Sequence, residues 1–395
     1  MIPPPRQIAF IKLGSFSHIN RPVEAQLGQE FPNHEIVSVD LVPELLKRRS
    51  VSLLNRLHVW RHFGRDILRG HRAYWDCFYR TPWLFHRIRR WVTGWLAPLR
   101  ANLDFTFQTQ SLFDTRQEGT PHFLYTDHTH LANLGYPDFE ERMLLPGWWL
   151  ALERQIYLGA TMNFTMSRHV ERSLVEDYGC PPQRAQCVFA GSNAPVAATE
   201  NNPARFARKR ILFNGVDWSR KGGPELAAAF KLVLARHPDA RLVVLGCEPE
   251  LRLPNCEVVG RVPLDAVPGH YAEASIFCLP TRREPFGIVF VEAMQHGLPI
   301  VSTRIGALPD MVEDGRNGWL VPPGAVKPLA DALCKLLDSP ETCAAYGEAG
   351  RALAAERYNW PAVGRRMGES IRAALALVRA GGQSTSGALG GGRRQ

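Results

Sequence analysis

The stretch from Arg283 to Gly297 constrains the fold of this chain more than any other, and it reads REPFGIVFVEAMQHG. The apolar run just before it, Ser275 to Pro280, predicts a short buried strand. A proline suited to a first helical position and a Gly-Leu-Pro stop predict a helix from Phe286 to His296, apolar on nearly every side. A buried strand that leads through a short loop into a buried helix is typical of an open α/β sheet.

The start of this predicted helix offers a site for an anion. Its first turn has backbone N–H groups without helical partners, those of Phe286, Gly287, Ile288 and Val289. Glu284 stands before them, and Glu292 lies two turns inside the helix, where a carboxylate needs a hydrogen-bond partner to offset its desolvation. The residues therefore predict a phosphate site with a carboxylate on either side. The alternative is a glutamate N-cap followed by a buried ion pair.

This stretch resembles the E-x7-E motif of the family-4 retaining glycosyltransferases. Both glutamates match, as do the Pro-Phe-Gly between them and the Glu-Ala-Met followed by Gly-Leu-Pro. The resemblance implies an α/β GT-B fold, in which two Rossmann-like domains with parallel sheets face a central cleft and a C-terminal helix crosses back. It also implies that Glu284 contacts the transferred sugar and that Glu292 holds the ribose hydroxyls of the nucleotide.

Chain length sets the expected domain organisation, because 395 residues are too many for one ordinary core. We expect an N-terminal Rossmann-like acceptor domain over 1–203 and a nucleotide-sugar donor domain over 204–360. Turn-forming residues from Ala198 to Pro203 mark the linker between them. A helix over 361–380 should return to the first domain, and the Gly- and Ser-rich tail 381–395 is predicted to be disordered.

A cluster of proton carriers ends the strand predicted from His122 to Thr126, and it reads Asp-His-Thr-His over 127–130. Such groups can donate to a sugar hydroxyl or accept from it. The resemblance to the family favours His128 over His130 as the histidine that meets the sugar or the attacking hydroxyl. His128 and Glu284 are therefore the predicted catalytic residues. A histidine that serves only as a helix cap or in packing is the alternative.

Two adjacent cations, Arg220 and Lys221, lie in a glycine-flanked loop between a strand and a helix, where they can neutralise a pyrophosphate. The loop resembles the family's Gly-Arg…Lys-Gly element, except that Val216 occupies the usual arginine position. Arg220 is the candidate for the missing charge, and a solvated basic turn is the alternative. The resemblance implies further donor contacts at Gly14, Ser15, Arg261 and Val262.

Residues 47–100 form a basic insertion that holds thirteen Lys or Arg against Asp66 and Asp76, interleaved with five tryptophans. Runs such as 83–91 predict amphipathic helix with one aromatic and one cationic face, which favours an anionic bilayer surface or a polyanionic substrate. Nucleic acid is disfavoured as a partner because no recognised nucleic-acid motif accompanies the charge. A basic helix face whose tryptophans belong to the core is the alternative.

The expected location is cytoplasmic, peripheral on the inner face of the cell membrane. The eight cysteines form no C-x-x-C pair, which favours reduced core thiols. The chain has no long uncharged apolar run, and Lys12 interrupts the apolar stretch from Ile8 to Leu13, so neither a membrane span nor a secretion signal is expected.

Together these features predict transfer of a sugar from a UDP- or GDP-linked donor to a hydroxyl of a saccharide, lipid-linked or lipopolysaccharide-type acceptor, with retention. Arg220, Lys221 and the helix start would offset charge on the leaving diphosphate, so neither a metal nor a cofactor is expected. Two alternatives stay open. One is another GT-B enzyme, an epimerase or phosphorylase, and the other is a catalytically inactive nucleotide-binding scaffold on a membrane.

Overall fold

The computed structural model describes residues 5–16, 18–192 and 203–387, which alternate between strand and helix. The strands are β1 Arg6–Lys12, β2 His34–Asp40, β3 Leu103–Thr109, β4 His122–Thr126, β5 Met162–Thr165, β6 Ala185–Cys187, β7 Arg210–Asn214, β8 Arg241–Leu245, β9 Cys256–Gly260, β10 Ile276–Leu279, β11 Ile300–Thr303 and β12 Gly318–Val321. The helices are α1 Asn20–Glu30, α2 Arg49–Leu68, α3 Tyr74–Phe78, α4 Pro82–Leu96, α5 Gly147–Gly159, α6 Arg168–Glu176, α7 Gly223–Arg236, α8 Val267–Glu273, α9 Ile288–Gln295, α10 Leu308–Met311, α11 Val326–Leu337, α12 Pro340–Arg357 and α13 Trp360–Gly387.

Two parallel six-stranded sheets organise these elements, which confirms the predicted α/β class. The first has the order β2-β1-β3-β4-β5-β6 and the second the order β12-β11-β10-β7-β8-β9. Each sheet reverses its strand order once, between β1 and β3 in the first and between β7 and β10 in the second. In open α/β sheets such a reversal leaves a crevice at the carboxyl ends of the strands. The fold therefore supplies two crevices, one from each sheet.

The central strands read as continuous apolar runs because helices cover both faces of each sheet. Strand β4 has the sequence HFLYT and β10 the sequence IFCL, and every residue in both strands is buried. Strand β12, Gly318–Val321, was not predicted as a strand, although three of its four residues are apolar. The last strand of the first sheet, β6, is only three residues long and ends at Cys187.

Helix α13 crosses back onto the first domain, as the GT-B resemblance implied. Arg372 forms an ion pair with Glu30 of α1 at 3.0 Å, and Trp360 donates to the carbonyl of Ser192 at 2.9 Å. The helix continues to Gly387, which is seven residues into the predicted disordered tail. An ion pair of 2.8 Å between Arg379 and Asp104 docks α13 on the first domain close to the predicted end of the helix. Residues 388–395 and most of the predicted linker, 198–202, lie outside the described residues.

The basic insertion folds into helices α2, α3 and α4, and its tryptophans divide between core and surface. Trp83, Trp91 and Trp95 of α4 are half-buried against the core, which agrees with the alternative that the tryptophans of this helix belong to the core. Exposed apolar side chains come from α2 and α3 instead, and they are Leu53, Leu54, Leu57, Trp60, Leu68 and Trp75. We call these six residues the apolar face. Among the described residues, no helix has both the length and the apolar character that crossing a bilayer requires.

Helix α12 packs against the end of α9 through glycine. A Cβ added at Gly347 would overlap the carbonyl oxygen of Gly297, which directly follows α9 and its C-cap. The neighbouring Gly350 has more room, because its nearest atom would be Cγ of Met294 at 3.5 Å. The close approach of the two backbones therefore depends on Gly347.

We expect opposite effects on stability from alanine at these two positions. Gly347→Ala should lower the free energy of unfolding by about 1–3 kcal/mol, because α12 must move away from Gly297. Gly350→Ala should raise it by about 0.5–1 kcal/mol, because alanine favours a helix interior over glycine. Urea denaturation of both variants checks this, and equal shifts of the two midpoints would contradict the packing described.

Candidate functional site

Lys221 and Glu284 meet where the second sheet reverses its strand order. Lys221 follows β7 and Glu284 follows β10, and these two strands are parallel neighbours. The Nζ atom of Lys221 donates to Oε2 of Glu284, and the two side chains are only 10% and 6% exposed. Gly222 has a φ of 74°, and a Cβ there would overlap the carbonyl oxygen of Pro280. The sequence predicted both charged residues at this edge, but not that they pair.

Helix α9 begins at Ile288, two residues later than predicted. Gly287 is the N-cap with a φ of 90°, a left-handed conformation that ends the loop and cannot continue a helix. Phe286 therefore lies in the loop, where its buried ring packs near Tyr358 with ring centroids 6.2 Å apart. The first turn of the helix then presents the N–H groups of Ile288 and Val289.

Glu292 has the hydrogen-bond partner that its position requires. The hydroxyl of Tyr271 in α8 lies 3.1 Å from Oε2 of Glu292 and accepts from Nδ2 of Asn214 at 2.9 Å. Burial raises the pKa of Glu292, and the bond from Tyr271 opposes that shift. The ring of Tyr271 stacks on His296 with centroids 5.1 Å apart. The sequence did not reveal Tyr271 or Asn214, because each comes from a different strand–helix unit.

Arg220 lies at the rim of this cluster and is partly tied back. It pairs with Asp217 at 3.5 Å and donates to the carbonyl oxygen of Arg283 at 3.3 Å, with 37% of its side chain exposed. Val216, at the position where the family has arginine, is exposed. Lys221 is therefore the buried cation of the cluster, and Arg220 lies beside the loop that carries Glu284.

The loop after β9 follows the same sheet edge. The N–H of Gly246 after β8 donates to the carbonyl oxygen of Gly260 at 2.7 Å, which joins the two loops. Arg261 directly after this glycine is exposed, and Val262 is half-buried against the core. Both of these predicted donor contacts thus lie at the carboxyl edge of the second sheet, at its β9 end.

A cavity of about 360 Å³ opens at the carboxyl edge of the first sheet. The predicted residues Ser15, His128 and His130 line it together with Asp127, and Pro285 closes it from the second domain. Gly14 does not offer its backbone there as predicted. Its N–H donates to Asp40 at 2.9 Å and its carbonyl accepts from Asn20 at 2.7 Å, so both of its backbone groups are already used.

The two histidines of the cavity have different roles. Two hydrogen bonds hold His130 in place. Its ring Nε2 accepts from the backbone N–H of Leu145 at 2.8 Å, and its backbone N–H donates to Oε1 of Glu153 at 3.0 Å. His128 stacks on Tyr136 with centroids 6.5 Å apart, and its buried Nδ1 has no hydrogen-bond partner among the described residues. Burial lowers the pKa of His128 to about 4 and that of His130 to about 3, so both rings are neutral near pH 7.

Direct contacts join the two domains around the site. Arg282 binds both carboxylate oxygens of Asp138 at 3.0 and 3.1 Å and also pairs with Glu225 of α7. The hydroxyl of Ser167 donates to the carbonyl oxygen of Pro285 at 3.4 Å. These contacts hold the loop before α9 from both sides. No local pattern identifies Asp138, because its partner lies 144 residues further along the chain.

Comparison with known proteins agrees with this geometry. The family model described as "Glycosyl transferases group 1" matches residues 208–339. A GDP-mannose-dependent alpha-(1-6)-phosphatidylinositol monomannoside mannosyltransferase of Mycolicibacterium smegmatis is 33% identical over 170 residues, 38% of this chain and 44% of that protein. An MMP alpha-(1->4)-mannosyltransferase of Mycolicibacterium hassiacum is 40% identical over 110 residues, 28% of this chain and 27% of that protein. The chain thus aligns with less than half the length of either relative.

Two solved structures show the fold. Sucrose-phosphate synthase from Thermosynechococcus elongatus superposes with a TM-score of 0.67 at 17% identity, covering 94% of this chain and 100% of that one. WaaG, a glycosyltransferase involved in lipopolysaccharide biosynthesis, superposes with a TM-score of 0.61 at 16% identity, covering 92% and 98%. With the two parallel sheets and the returning helix, these likenesses confirm the GT-B fold.

We expect the buried pair to behave as a unit in a double-mutant cycle. Lys221→Met or Glu284→Gln alone should destabilise the protein by about 3–5 kcal/mol, because each leaves one buried charge without its partner. The double variant should recover most of that loss. Chemical denaturation of the four proteins measures the coupling, and strictly additive losses would show that the two side chains do not interact.

Proposed function

We propose that this protein is a retaining glycosyltransferase of the family-4 type, which moves a sugar from a nucleoside diphosphate to a hydroxyl of an acceptor. The observation that carries the proposal is the convergence of Lys221, Glu284 and the first turn of α9 at one crevice. This crevice lies beside a cavity that contains His128, with Pro285 as a shared wall. The match to the glycosyl transferase family model over the second domain supports it.

The diphosphate would lie between Lys221 and the first turn of α9. As the bond to the sugar breaks, negative charge grows on the β-phosphate, and the ammonium group and the N–H groups of Ile288 and Val289 would stabilise it. Lys221 would then divide its hydrogen bonds between the phosphate and Glu284. The carboxylate of Glu284 would accept from the hydroxyls of the sugar, while His128 approaches from the opposite domain.

Glu292 would hold the ribose. Its Oε2 already interacts with Tyr271, so Oε1 is the oxygen that would accept from a ribose hydroxyl. Tyr271 is thus a positioning residue, since it fixes the carboxylate without touching the donor. Arg261 and Val262, which follow β9 at the carboxyl edge of the second sheet, would receive the base.

The identities of the donor and the acceptor are proposals that draw on the names of the relatives. The relative from Mycolicibacterium smegmatis is named for GDP-mannose and for a phosphatidylinositol monomannoside. We therefore place GDP-mannose first among the donors to test and a lipid-linked saccharide first among the acceptors. A thermal-shift panel of GDP-, UDP- and ADP-sugars would rank the donors directly.

We expect a variant at each of the two glutamate sites to change a different kinetic parameter. Glu284→Gln should lower kcat by about 100-fold or more while the protein still binds the nucleotide, because its contact serves the reacting sugar. Tyr271→Phe should raise the donor KM by about 5- to 20-fold with little change in kcat, because it loosens a ribose contact. Steady-state assays of sugar transfer measure both. A wild-type protein that binds nucleotide but releases no sugar from any donor would favour the inactive scaffold instead.

Two further readouts test the proposed mechanism. Transfer should persist in excess EDTA, because Lys221 and the helix N-terminus take the place of a divalent cation. NMR of the product should show the anomeric configuration of the donor. Loss of activity in EDTA that Mg²⁺ restores, or an inverted anomer, would contradict the corresponding part of the proposal.

We also propose that the apolar face docks on an anionic membrane. Its six side chains are between 47% and 79% exposed, and the exposed arginines Arg49, Arg56, Arg61 and Arg65 belong to the same helix, α2. Apolar side chains flanked by arginine suit the interface of a bilayer with negative headgroups. This position would bring the first domain next to a lipid-linked acceptor.

Vesicle co-sedimentation tests the docking. Leu53→Ser combined with Leu57→Ser should abolish most binding to vesicles that contain anionic lipid, whereas Leu264→Ser should not, although Leu264 in the second domain is more exposed. High salt should weaken the binding of the wild type, because part of the attraction is electrostatic. No sedimentation of the wild type at low or high salt would remove the membrane from this account.

A further inference from the structure

We propose that the cavity beside His128 binds an acceptor that carries a phosphate group, and that Arg80 is the residue that holds this anion. The inference rests on the proposed function, because it names the class of molecule that would receive the sugar. It adds an anion site in the first domain, separate from the diphosphate crevice of the second.

Arg80 lines the cavity from a rigid turn between α3 and α4. The buried amide of Asn55 donates to the carbonyl of Phe78 at 2.7 Å and accepts from the hydroxyl of Thr81. Thr81 in turn caps α4, where it accepts from the N–H of Leu84 at 3.1 Å. Because the residues on both sides of Arg80 are anchored in the core, its side chain leaves the backbone in a fixed direction.

The guanidinium group of Arg80 is half-buried and forms no ion pair among the described residues. Its Nη1 donates to the carbonyl oxygen of Asp76 at 2.6 Å. Burial lowers the pKa of Arg80, and the more distant charges of Asp76 and Glu153 oppose that shift only in part. A partly buried cation without a paired carboxylate has lost some of its hydration, and an arriving anion would offset that loss. Arginine also matches the oxygens of a phosphate with two parallel hydrogen bonds.

The other ionisable groups that line the cavity near Arg80 are not suited to bind an anion. Glu153 lies on the same wall, but its oxygens already accept from the hydroxyls of Tyr157 and Tyr178 and from the N–H of His130. His128 and His130 are neutral, and the charge of Arg80 contributes to their low pKa values. Among the described residues that line the cavity, Arg80 is the one lysine or arginine.

The cavity contains charged groups of both signs. Asp127 directly follows β4 and lines the cavity that Pro285 of the second domain closes, and burial together with the charge of Glu284 raises its pKa to about 6. Arg80 lines the same cavity from the turn between α3 and α4. An acceptor would therefore place its reacting hydroxyl near Asp127 and His128 and its phosphate near Arg80. The volume of about 360 Å³ is at the lower end of the range for small-molecule sites and suits a sugar or polyol with one phosphate.

Calorimetric titration of the full chain with GDP in excess tests this inference. The probes are a hexose 6-phosphate and the same hexose without phosphate, and a short-chain phosphatidyl polyol separates a phosphodiester headgroup from a free phosphomonoester. We expect the wild type to prefer one of the phosphate-bearing probes over the neutral hexose. Arg80→Gln should lower the affinity for that probe by about 10- to 100-fold and leave the affinity for the neutral hexose unchanged. Arg80→Lys should lower the affinity for the phosphate-bearing probe by less. Arg90→Gln is the matched control, because it removes an exposed charge of the same insertion.

The outcomes separate this inference from the proposed function. A wild type that does not prefer a phosphate-bearing probe overturns the inference. An Arg80→Gln protein whose affinity falls equally for both classes of probe also overturns it, since an equal loss indicates a structural role for Arg80. An equal loss in Arg90→Gln also overturns it, because general electrostatics would then account for the preference. Arg80-dependent phosphate binding in a protein that binds no nucleotide sugar supports the anion site while overturning the glycosyltransferase proposal.

Discussion

The buried ion pair between Lys221 and Glu284 is the interaction on which the rest of the site depends. The two residues follow neighbouring parallel strands at the point where the second sheet reverses its order, so the topology brings their loops together. A charge removed from water costs several kcal/mol, and here each side chain offsets the desolvation of the other. The pair thereby fixes the loop that leads into α9. The direction of the N–H groups in the first turn of α9 follows from that loop.

The same loop is one of the places where the two domains touch. Arg282 holds Asp138 of the first domain and Glu225 of the second, and Pro285 accepts from Ser167 while it closes the cavity wall. Because residues 282–285 are held from both sides, a movement of one domain relative to the other must displace Glu284 relative to the cavity. This short segment therefore couples the position of Glu284 to the cavity of the first domain.

The sequence predicted the α/β class because parallel strands covered on both faces read as short continuous apolar runs, and its resemblance to the family implied the two sheets. It predicted both glutamates because their spacing lies within one loop and one helix. It missed the start of α9, since the left-handed conformation of Gly287 is set by the loop and not by the helix-forming pattern. It also missed Tyr271, Asp138 and Arg80. Their roles depend on partners from other parts of the chain, and local periodicity carries no information about such pairs.

The two cations of the site differ in a way that matters for binding. Lys221 is buried with a carboxylate, so an anion that approaches it must share or replace an existing partner. Arg80 is half-buried without an ion-pair partner, so an anion there would gain its interaction without displacing a carboxylate. On the proposed function, the donor phosphate would thus share Lys221 with Glu284, which leaves part of the carboxylate free for the sugar. The acceptor phosphate would instead pair with a charge that forms no ion pair in the described residues, and its binding would change no contact on the donor side.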